Sequence, residues 1–461
     1  MRRLRRYYFL RSFNNKDRFF PKKLYNIMIM KIFRYPSPEA EKKLRAIENR
    51  SIGFRKKDVT AVARIIDDVK KNGDDALLDY TRRFDAPKLQ REQLVVSREE
   101  MAAAPKKVDR AFVKALNRAC RQIKHFHRQQ RTSSWINVER EGTLLGQVVR
   151  PVDAAGVYVP GGKGGKTPLV STVLMGAIPA NIAGVGKICM VTPPMRDGGV
   201  DPHLLVAARK AGVDEVYKVG SAWAVAALAY GTQTVPRANV IVGPGNIYVT
   251  LAKKLVAGEV GIDMIAGPSE ILVIADDSAN PAYIAADLLS QAEHDPLSSA
   301  VLVTTSRETA GAVSAELKTQ LTALARHETA AASLQRYGAL MVVPDIGTAV
   351  DFANRIAPEH LELQIKDPLS RIALIRNAGA IFLGDYTPEP VGDYMAGPNH
   401  VLPTAGTARY ASALSVDHFM KKSSIIQYSK DAFRKEAADV MRLAEVEGLG
   451  AHANAVRIRL K

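Results

Sequence analysis

The chain has 461 residues, 47% hydrophobic and 24% charged, which is typical of domains that fold in water. Its length exceeds the roughly 250–300 residues at which a single core stops growing, so we expect two or three domains. No apolar run approaches the roughly 20 residues that span a bilayer, which excludes a membrane-spanning class. The isolated Cys120 and Cys189 indicate a reducing, cytoplasmic compartment rather than a disulfide scaffold.

The formal charge of +18 is unevenly distributed. Residues 1–29 contain nine lysines and arginines against one aspartate, which leaves +10 for the rest of the chain. We predict a disordered basic extension here, which we interpret as an over-long gene start with Met28 or Met30 as the first residue. An organellar transit peptide is the alternative, and the YYFL run is too short for a secretory signal. Because no basic run with interleaved aromatic residues follows, we predict no nucleic-acid partner.

Residues 30–155 have the pattern of a charged helical segment. Ser37 ahead of Glu39 and Glu41 predicts a capped helix start there. No motif in this segment indicates chemistry. We therefore predict an outer helical segment with no obvious chemistry.

From Gly156 onward, eight short apolar strands alternate with helical segments, which predicts βαβ units and parallel sheets. The strands are GVYV, KICMV, EVYKV, NVIV, ILVIA, SAVLV, LMVV and GAIFL. We predict two doubly wound domains, residues 156–278 and 279–386, which divide near residues 278–282. The strands are expected to stop after Tyr386, where a polar loop leads into a small C-terminal helical domain, residues 387–461.

Two glycine-rich turns match phosphate-binding patterns only in part. GGKGGKT at residues 161–167 lacks the GxxxxGK[ST] spacing, so we exclude a P-loop nucleotide hydrolase. GPGNIY at residues 243–248 has two of the three glycines of the dinucleotide fingerprint. It lies between a strand and a helix, where backbone amides can face phosphates, although a plain tight turn explains it equally well.

The stretch SQAEHDP ends an apolar helical pattern and places Gln291 and His294 three residues apart, on one helical face. Histidine is a common zinc ligand and glutamine a poor one. The polar end of a solvated helix explains the pair by itself. A metal site would need further ligands from elsewhere in the chain.

Candidate ligands and acid–base groups do occur downstream. APEHLE places Glu359 and His360 side by side, which suits proton transfer, although a polar turn is the commoner explanation. Two more pairs follow, in a Gly/Pro-rich loop and across a Gly-marked helix end: Asp393 with His400, and Glu447 with His452.

Eight motifs taken in order resemble one known family: VYVPGG, AALAYGT, VGPGN, AGPSEILVIAD, LLSQAEHDP, PEHLE, GDYMAGPNHVLPT and EGLGAHANAV. This set resembles histidinol dehydrogenase, over nearly everything from residue 30 to residue 461. The resemblance implies an α/β fold with two doubly wound, incomplete Rossmann-like parallel-sheet domains. It also implies a homodimer in which the C-terminal segment of one subunit completes the active site of the other.

The resemblance implies a role for each candidate residue. Four residues would bind one zinc ion per subunit: Gln291, His294, Asp393 and His452. The catalytic pair would be Glu359 and His360. The substrate would contact the zinc ligands and four further residues: Ser269, His360, His400 and Glu447. Three residues would contact NAD: Tyr158, Trp223 and Asn246. Trp223, in GSAWA, stands where the family usually has the glutamine of GGAQA, and we expect its ring to stack on the cofactor.

The implied activity is a zinc-dependent, NAD-linked oxidation of L-histidinol through histidinal to L-histidine. An alternative keeps the fold and the zinc but oxidises another small polar alcohol, such as sulfopropanediol. PEHLE together with Glu447 and His452 favours histidinol. A zinc hydrolase is disfavoured because the chain lacks HExxH.

Overall fold

The computed structural model describes residues 30–50, 53–162 and 167–461. The prediction for residues 1–29, and most of the GGKGGKT loop, lie outside the described residues. Residues 30–128 form a short strand followed by helices: β1 (Ile32–Arg34), α1 (Pro38–Glu48), α2 (Lys56–Asn72), α3 (Asp74–Phe84), α4 (Arg98–Ala103) and α5 (Arg110–Arg128). The predicted cap is confirmed, because the Ser37 hydroxyl accepts the N–H of Ala40 at 3.2 Å.

The chain continues into a five-stranded parallel sheet with the strand order β6-β5-β4-β7-β8. Two strands that belong to another sheet come first: β2 (Trp135–Asn137) and β3 (Thr143–Pro151). The parallel sheet and its helices then follow in order: β4 (Ala154–Tyr158), α6 (Val170–Ala183), β5 (Lys187–Val191), α7 (Pro202–Ala211), β6 (Glu215–Tyr217), α8 (Ser221–Tyr230), β7 (Val240–Val242), α9 (Ile247–Val256) and β8 (Gly261–Ile262).

A six-stranded parallel sheet follows, with the order β1-β11-β10-β9-β12-β13. Its segments after β1 are β9 (Glu270–Ala275), α10 (Pro281–Ala292), β10 (Ser299–Thr304), α11 (Arg307–Leu321), α12 (His327–Tyr337), β11 (Ala339–Val342), α13 (Ile346–Ile356), β12 (His360–Gln364) and β13 (Ala380–Leu383). The C-terminal segments are α14 (Glu389–Val391), β14 (Met420–Tyr428), α15 (Lys430–Val446) and α16 (Gly450–Arg457).

Helices cover both faces of each parallel sheet, which explains why the strands are apolar on both sides. In β5, Ile188 and Met190 pack into one core, whereas Cys189 and Val191 pack into the core on the opposite face. Strand β9 alternates between two cores in the same way. The predicted mixed α/β fold with parallel sheets is therefore confirmed.

The strand pairing corrects three predictions. A division near residues 278–282 assigns ILVIA to the first sheet, but β9 is hydrogen-bonded between β10 and β12 of the second. The segment 30–155 is not wholly helical, since it contributes β1, β2 and β3. Strands also continue beyond Tyr386, because β14 pairs with β3 in an antiparallel sheet of order β14-β3-β2. These strands escaped detection because β14 is mostly exposed and has no apolar run.

Within the part of the chain that the structure describes, none of the helices combines the length and the apolar character needed to cross a membrane. Strand ends from both parallel sheets meet at the space between the two sheets. The first sheet contributes the carboxyl ends of β4 and β7, and the second contributes the amino ends of β9 and β12. Polar residues that flank these strand ends therefore lie close together.

Candidate active site

A pocket of about 580 Å³ lies between these strand ends. Backbone from the first sheet forms one wall, at Pro160 and at residues 244–246. The second sheet, the end of α10 and the loop after α14 form the rest. The pocket brings together eight residues selected in the sequence: Asn246, Ser269, Gln291, His294, Glu359, His360, Asp393 and His400.

The last turn of α10 places Gln291 at the pocket wall, and His294 follows two residues after the helix ends. The helix is anchored by the Asn280 side chain, which caps its first turn, and by apolar residues that pack one face into the core. Gln291 is 0% exposed, yet neither its amide oxygen nor its amide nitrogen has a hydrogen-bond partner in the described structure. An unpaired buried polar group costs about 1–3 kcal/mol, so an orphaned amide in a pocket indicates a ligand.

Strand β12 begins at His360, directly after Glu359, and both side chains are buried. His360 Nδ1 lies 2.9 Å from the backbone carbonyl oxygen of Glu270. A carbonyl can only accept, so Nδ1 carries the proton and Nε2 keeps its lone pair. Burial lowers the pKa of His360 to about 4, and the ring is therefore neutral at pH 7. Burial also raises the pKa of Glu359 well above the usual value of a glutamate.

Glu389 is a pocket residue that the sequence analysis did not select. Its carboxyl oxygen Oε1 lies 3.9 Å from His360 Nε2, and burial raises the pKa of Glu389 to about 8. His360, Glu389 and Asp393 each place a potential ligand atom within 4.8 Å of the others. The spacing of Glu389 and Asp393, four residues apart in a helical stretch, is the signal that could have identified it.

The buried carboxyl groups of Asp287 and Glu362 connect the helices and the strand that carry the pocket residues. Gln364 Nε2 donates to Asp287 Oδ2 at 2.8 Å and to Glu362 Oε2 at 2.9 Å. Glu362 Oε1 accepts the backbone N–H of Glu389 at 3.1 Å. Burial raises the pKa of both acids. Helix α10, strand β12 and the start of α14 are thus joined directly behind the pocket.

The loop after α14 places a carboxylate and an imidazole at the pocket. Asp393 lies in a π-helical turn, residues 392–396, and its Oδ1 is 3.7 Å from His400 Nδ1. Burial lowers the pKa of His400, so this ring also favours the neutral form that can act as a ligand or acceptor. Asp393, His400 and the orphaned amide of Gln291 therefore offer polar groups to one ligand.

The turn at residues 243–246 brings backbone to the pocket. Gly243 has φ of 115°, and an added Cβ would lie 2.2 Å from the backbone oxygen of Tyr158, so only glycine fits. A buried ion pair of Lys253 and Asp263 anchors the turn from behind. Gly243 N–H donates to Asp263 at 2.8 Å, and its carbonyl accepts from Lys253 at 2.9 Å. Asn246 then caps α9, whose N-terminus faces the pocket.

Two of the three residues expected to contact NAD lie away from the pocket wall. Tyr158 is buried in the first sheet's core, and its hydroxyl accepts the N–H of Ser221 at 3.1 Å. The Trp223 ring stacks with Tyr80 and with Phe84, at centroid distances of 5.6 and 5.5 Å. The structure thus places this tryptophan within the core, where it stacks on these protein rings.

Glu447 and His452 are also absent from the pocket of this chain. Both are exposed, at the end of α15 and on α16. We call residues 420–457, which comprise β14, α15 and α16, the C-terminal arm. The arm exposes large apolar side chains: Ile426 71%, Leu443 66%, Val446 69% and Leu449 40%. Several large apolar side chains exposed within one segment are a feature that interaction surfaces share.

Parallel sheets covered by helices, with a buried acid–imidazole pair and a helix N-terminus at one pocket, are the features of an α/β enzyme. The family model described as histidinol dehydrogenase matches residues 49–460. The chain belongs to the histidinol dehydrogenase family, as its motifs predicted, and is a dehydrogenase.

Individual proteins agree with this assignment. The chain is 56% identical over 402 residues to histidinol dehydrogenase from Desulfotalea psychrophila, covering 87% of this chain and 93% of that protein. It is 50% identical over 433 residues to histidinol dehydrogenase from Clostridium acetobutylicum, covering 94% and 99%. The crystal structure of histidinol dehydrogenase from Elizabethkingia anophelis superimposes with a TM-score of 0.88 at 37% identity, covering 94% of this chain and 98% of that one.

Proposed function

We propose that this protein is a zinc-dependent, NAD-linked enzyme that oxidises L-histidinol through histidinal to L-histidine. The observation that carries the proposal is the pocket, where the buried pair Glu359 and His360 faces the orphaned amide of Gln291. Family membership supports the substrate. The pocket supports the chemistry, because its groups can accept protons and hold a polar ligand.

The residues of the pocket fit a zinc ion. Gln291, His294 and Asp393 would supply three ligands, and the unpaired amide oxygen of Gln291 would gain the partner that it lacks. When bound, zinc would hold the imidazole and amine of histidinol in place for both oxidations. A set of neutral and singly charged ligands leaves positions for such a substrate, unlike a closed Cys₄ site.

His360 is suited to the first oxidation. Its Nδ1 proton is directed to the Glu270 carbonyl, so Nε2 is the atom that accepts the alcohol proton. Because burial keeps the ring neutral at pH 7, the base is available without prior deprotonation. A positioned general base contributes about 10² to 10⁴ in rate.

Glu359 is suited to the second oxidation, which requires a water molecule to add to the aldehyde. Its carboxylate lies beside His360, with Oε2 3.7 Å from His360 Nδ1, so both steps occur at one place. The raised pKa makes Glu359 a stronger base than an exposed glutamate. In its ionised form it takes a proton from water more readily than a surface carboxylate would.

NAD would accept a hydride in each of the two steps. The glycine turn at residues 243–246 and the N-terminus of α9 are suited to its pyrophosphate, because backbone N–H groups and the helix dipole favour an anion there. Asn246 lies at this point. Tyr158 lies beneath the turn, where its backbone excludes any side chain at Gly243.

A homodimer would complete the site. Glu447 and His452 lie on the exposed arm of this chain rather than in its pocket. We propose that the arm of one subunit supplies His452 as a zinc ligand and Glu447 as a substrate contact in the pocket of the other. The exposed apolar residues of the arm support this arrangement, because a partner subunit would bury them.

The test is an assay of NADH formation by the purified protein with histidinol and NAD, before and after removal of metal by a chelator. We expect activity that is lost on chelation and restored by Zn²⁺. An amino alcohol that lacks the imidazole is the matched control and should react far more slowly. Equal rates with both alcohols, or activity unaffected by chelation, would contradict the proposal.

A further inference from the structure

A buried ion pair lies directly behind the catalytic pair. Glu270 begins β9, and its carboxylate is paired with the guanidinium of Arg50; the two side chains are 7% and 4% exposed. Neither side chain has a role in the function proposed above, which uses only the backbone carbonyl of Glu270. A buried ion pair is weak evidence for stability by itself, so its position needs another explanation.

Glu270 contacts both catalytic residues. Its side-chain Oε2 accepts the N–H of Glu359 at 3.3 Å, and its own N–H donates to the Glu359 carboxylate at 2.9 Å. Its backbone carbonyl accepts from His360 Nδ1 at 2.9 Å. The regular pairing of β9 with β12 begins one residue later, at Ile271 with His360. At Glu270 and Glu359, hydrogen bonds between carboxylates and backbone N–H groups thus take the place of the backbone hydrogen bonds between the two strands.

Arg50 ties this arrangement to the surrounding backbone. Its guanidinium donates to the carbonyl of Pro268 at 3.1 Å and to the carbonyl of Leu297 at 3.1 Å. The other Glu270 oxygen accepts the N–H of Ala405 at 3.2 Å. The Glu270 carboxylate is therefore held by one cation and two backbone amides, and it cannot move without breaking several of these contacts.

We propose that Glu270, held by Arg50, is a positioning residue that fixes the orientation of Glu359 and the tautomer of His360. The inference rests on the function proposed above. The Nδ1–H group of His360 donates to the Glu270 carbonyl. A shift of the start of β9 would break this hydrogen bond and leave Nε2 of His360 misaligned. Misplacement of a reacting group by about 1 Å can cost about 10² in rate.

The test uses Glu270→Gln in the full-length, zinc-loaded enzyme, which keeps the shape of the side chain but removes the charge that pairs with Arg50. We expect kcat for both oxidations to fall about 10²-fold. KM for histidinol should change by less than about threefold, because the Glu270 side chain bonds to Arg50 and to backbone N–H groups and not to the proposed zinc ligands that would hold the substrate. Glu48→Gln is the control. Glu48 is two residues before Arg50 in the chain, but it pairs with Arg355, away from the pocket.

A second variant covers the case in which Glu270→Gln does not fold. Glu270→Asp keeps the charge but withdraws the carboxylate by one methylene, and we expect unaltered zinc content with kcat reduced about tenfold. If the folded variants keep kcat within about threefold of the wild type, the proposal is overturned. It is also overturned if Glu48→Gln lowers kcat as much as Glu270→Gln does.

A measurement that needs no substrate tests the positioning role of Glu270 independently of the proposed function. In ¹⁵N-histidine NMR, with His360 assigned through His360→Gln, we expect Nδ1 of His360 to be protonated in the wild type and a mixture of tautomers in Glu270→Gln. A wild type that fails to oxidise histidinol would refute the proposed function but leave this measurement valid. A single unchanged tautomer in Glu270→Gln would refute the positioning role.

Discussion

The pocket and the C-terminal arm depart in opposite ways from the usual distribution of polar and apolar groups in a protein. The pocket buries polar groups without partners, as at the 0% exposed amide of Gln291. The arm exposes apolar groups without cover, as at Leu443 and Val446, which are 66% and 69% exposed. The function proposed above would explain both features, because zinc would pair with the Gln291 amide and a partner subunit would cover the arm. On that proposal, the complete site would be assembled from two regions that are each incomplete in a single chain.

The largest expected effect tests the pocket. His360→Ala should lower the rate of alcohol oxidation about 10²- to 10⁴-fold, because the substrate proton loses its acceptor. The measurement is single-turnover NADH formation from histidinol. His203→Ala, at a partly exposed histidine outside the pocket, should leave the rate unchanged. A loss of less than about tenfold for His360→Ala would show that another group takes the proton.

The next effect separates the two oxidations within the pocket. Glu359→Gln should lower aldehyde oxidation about 10²-fold and alcohol oxidation much less, since only the aldehyde step needs an activated water. In the wild type, the carboxylate form is the active base, so the aldehyde step should weaken as pH falls through the raised pKa of Glu359. The alcohol step should persist to lower pH, because His360 stays neutral down to about pH 4. Equal losses in both steps would contradict this division.

A change on the arm should have a smaller but measurable effect. Leu443→Asp places a charge on the exposed apolar face of α15, and we expect the dimer to dissociate and activity to fall about tenfold as His452 leaves the partner pocket. Asp439→Ala, also exposed on α15, is the control. Sedimentation and zinc content would be followed together. An active monomer with full zinc content would refute the shared site.

Mixing inactive subunits gives the most specific test. A heterodimer of His294→Ala with His452→Ala would have one complete pocket of two, so about half of the wild-type activity per dimer should return. Homodimers of each variant provide the baseline. If isolated heterodimers remain inactive, the arm does not act in trans. The proposal that the arm of one subunit completes the pocket of the other would then be refuted.

Much of the fold followed from local patterns. Short apolar strands alternating with helices predicted parallel sheets, because a strand covered on both faces needs apolar residues on both sides. The assignment of β9 failed, since sheet membership depends on which strands pair and not on chain order. Strand β14 was missed because its side chains are largely exposed and the arm lacks the alternation that marks a half-buried strand.

The candidate residues show the same limit. The motifs selected Gln291, His294, Glu359, His360 and Asp393, and the pocket brings all five together. Glu389 gave a weaker signal, because an acid between two prolines, Pro388 and Pro390, resembles any polar loop. The ring of Trp223 stacks within the core because the aromatic faces of α3 lie beside α8, a contact between segments about 140 residues apart in sequence.

The sequence by itself determined the family, the strand–helix alternation and the polar groups of the pocket, because these depend on residue types and short spacings. Only the tertiary structure decided that the ion pair of Glu270 and Arg50 lies beside Glu359 and His360, that Nδ1 of His360 carries the proton, and that Glu447 and His452 lie outside their own chain's pocket. The reason is physical: burial, tautomer and partnership depend on atoms that approach from distant parts of the chain, and no local pattern specifies that approach.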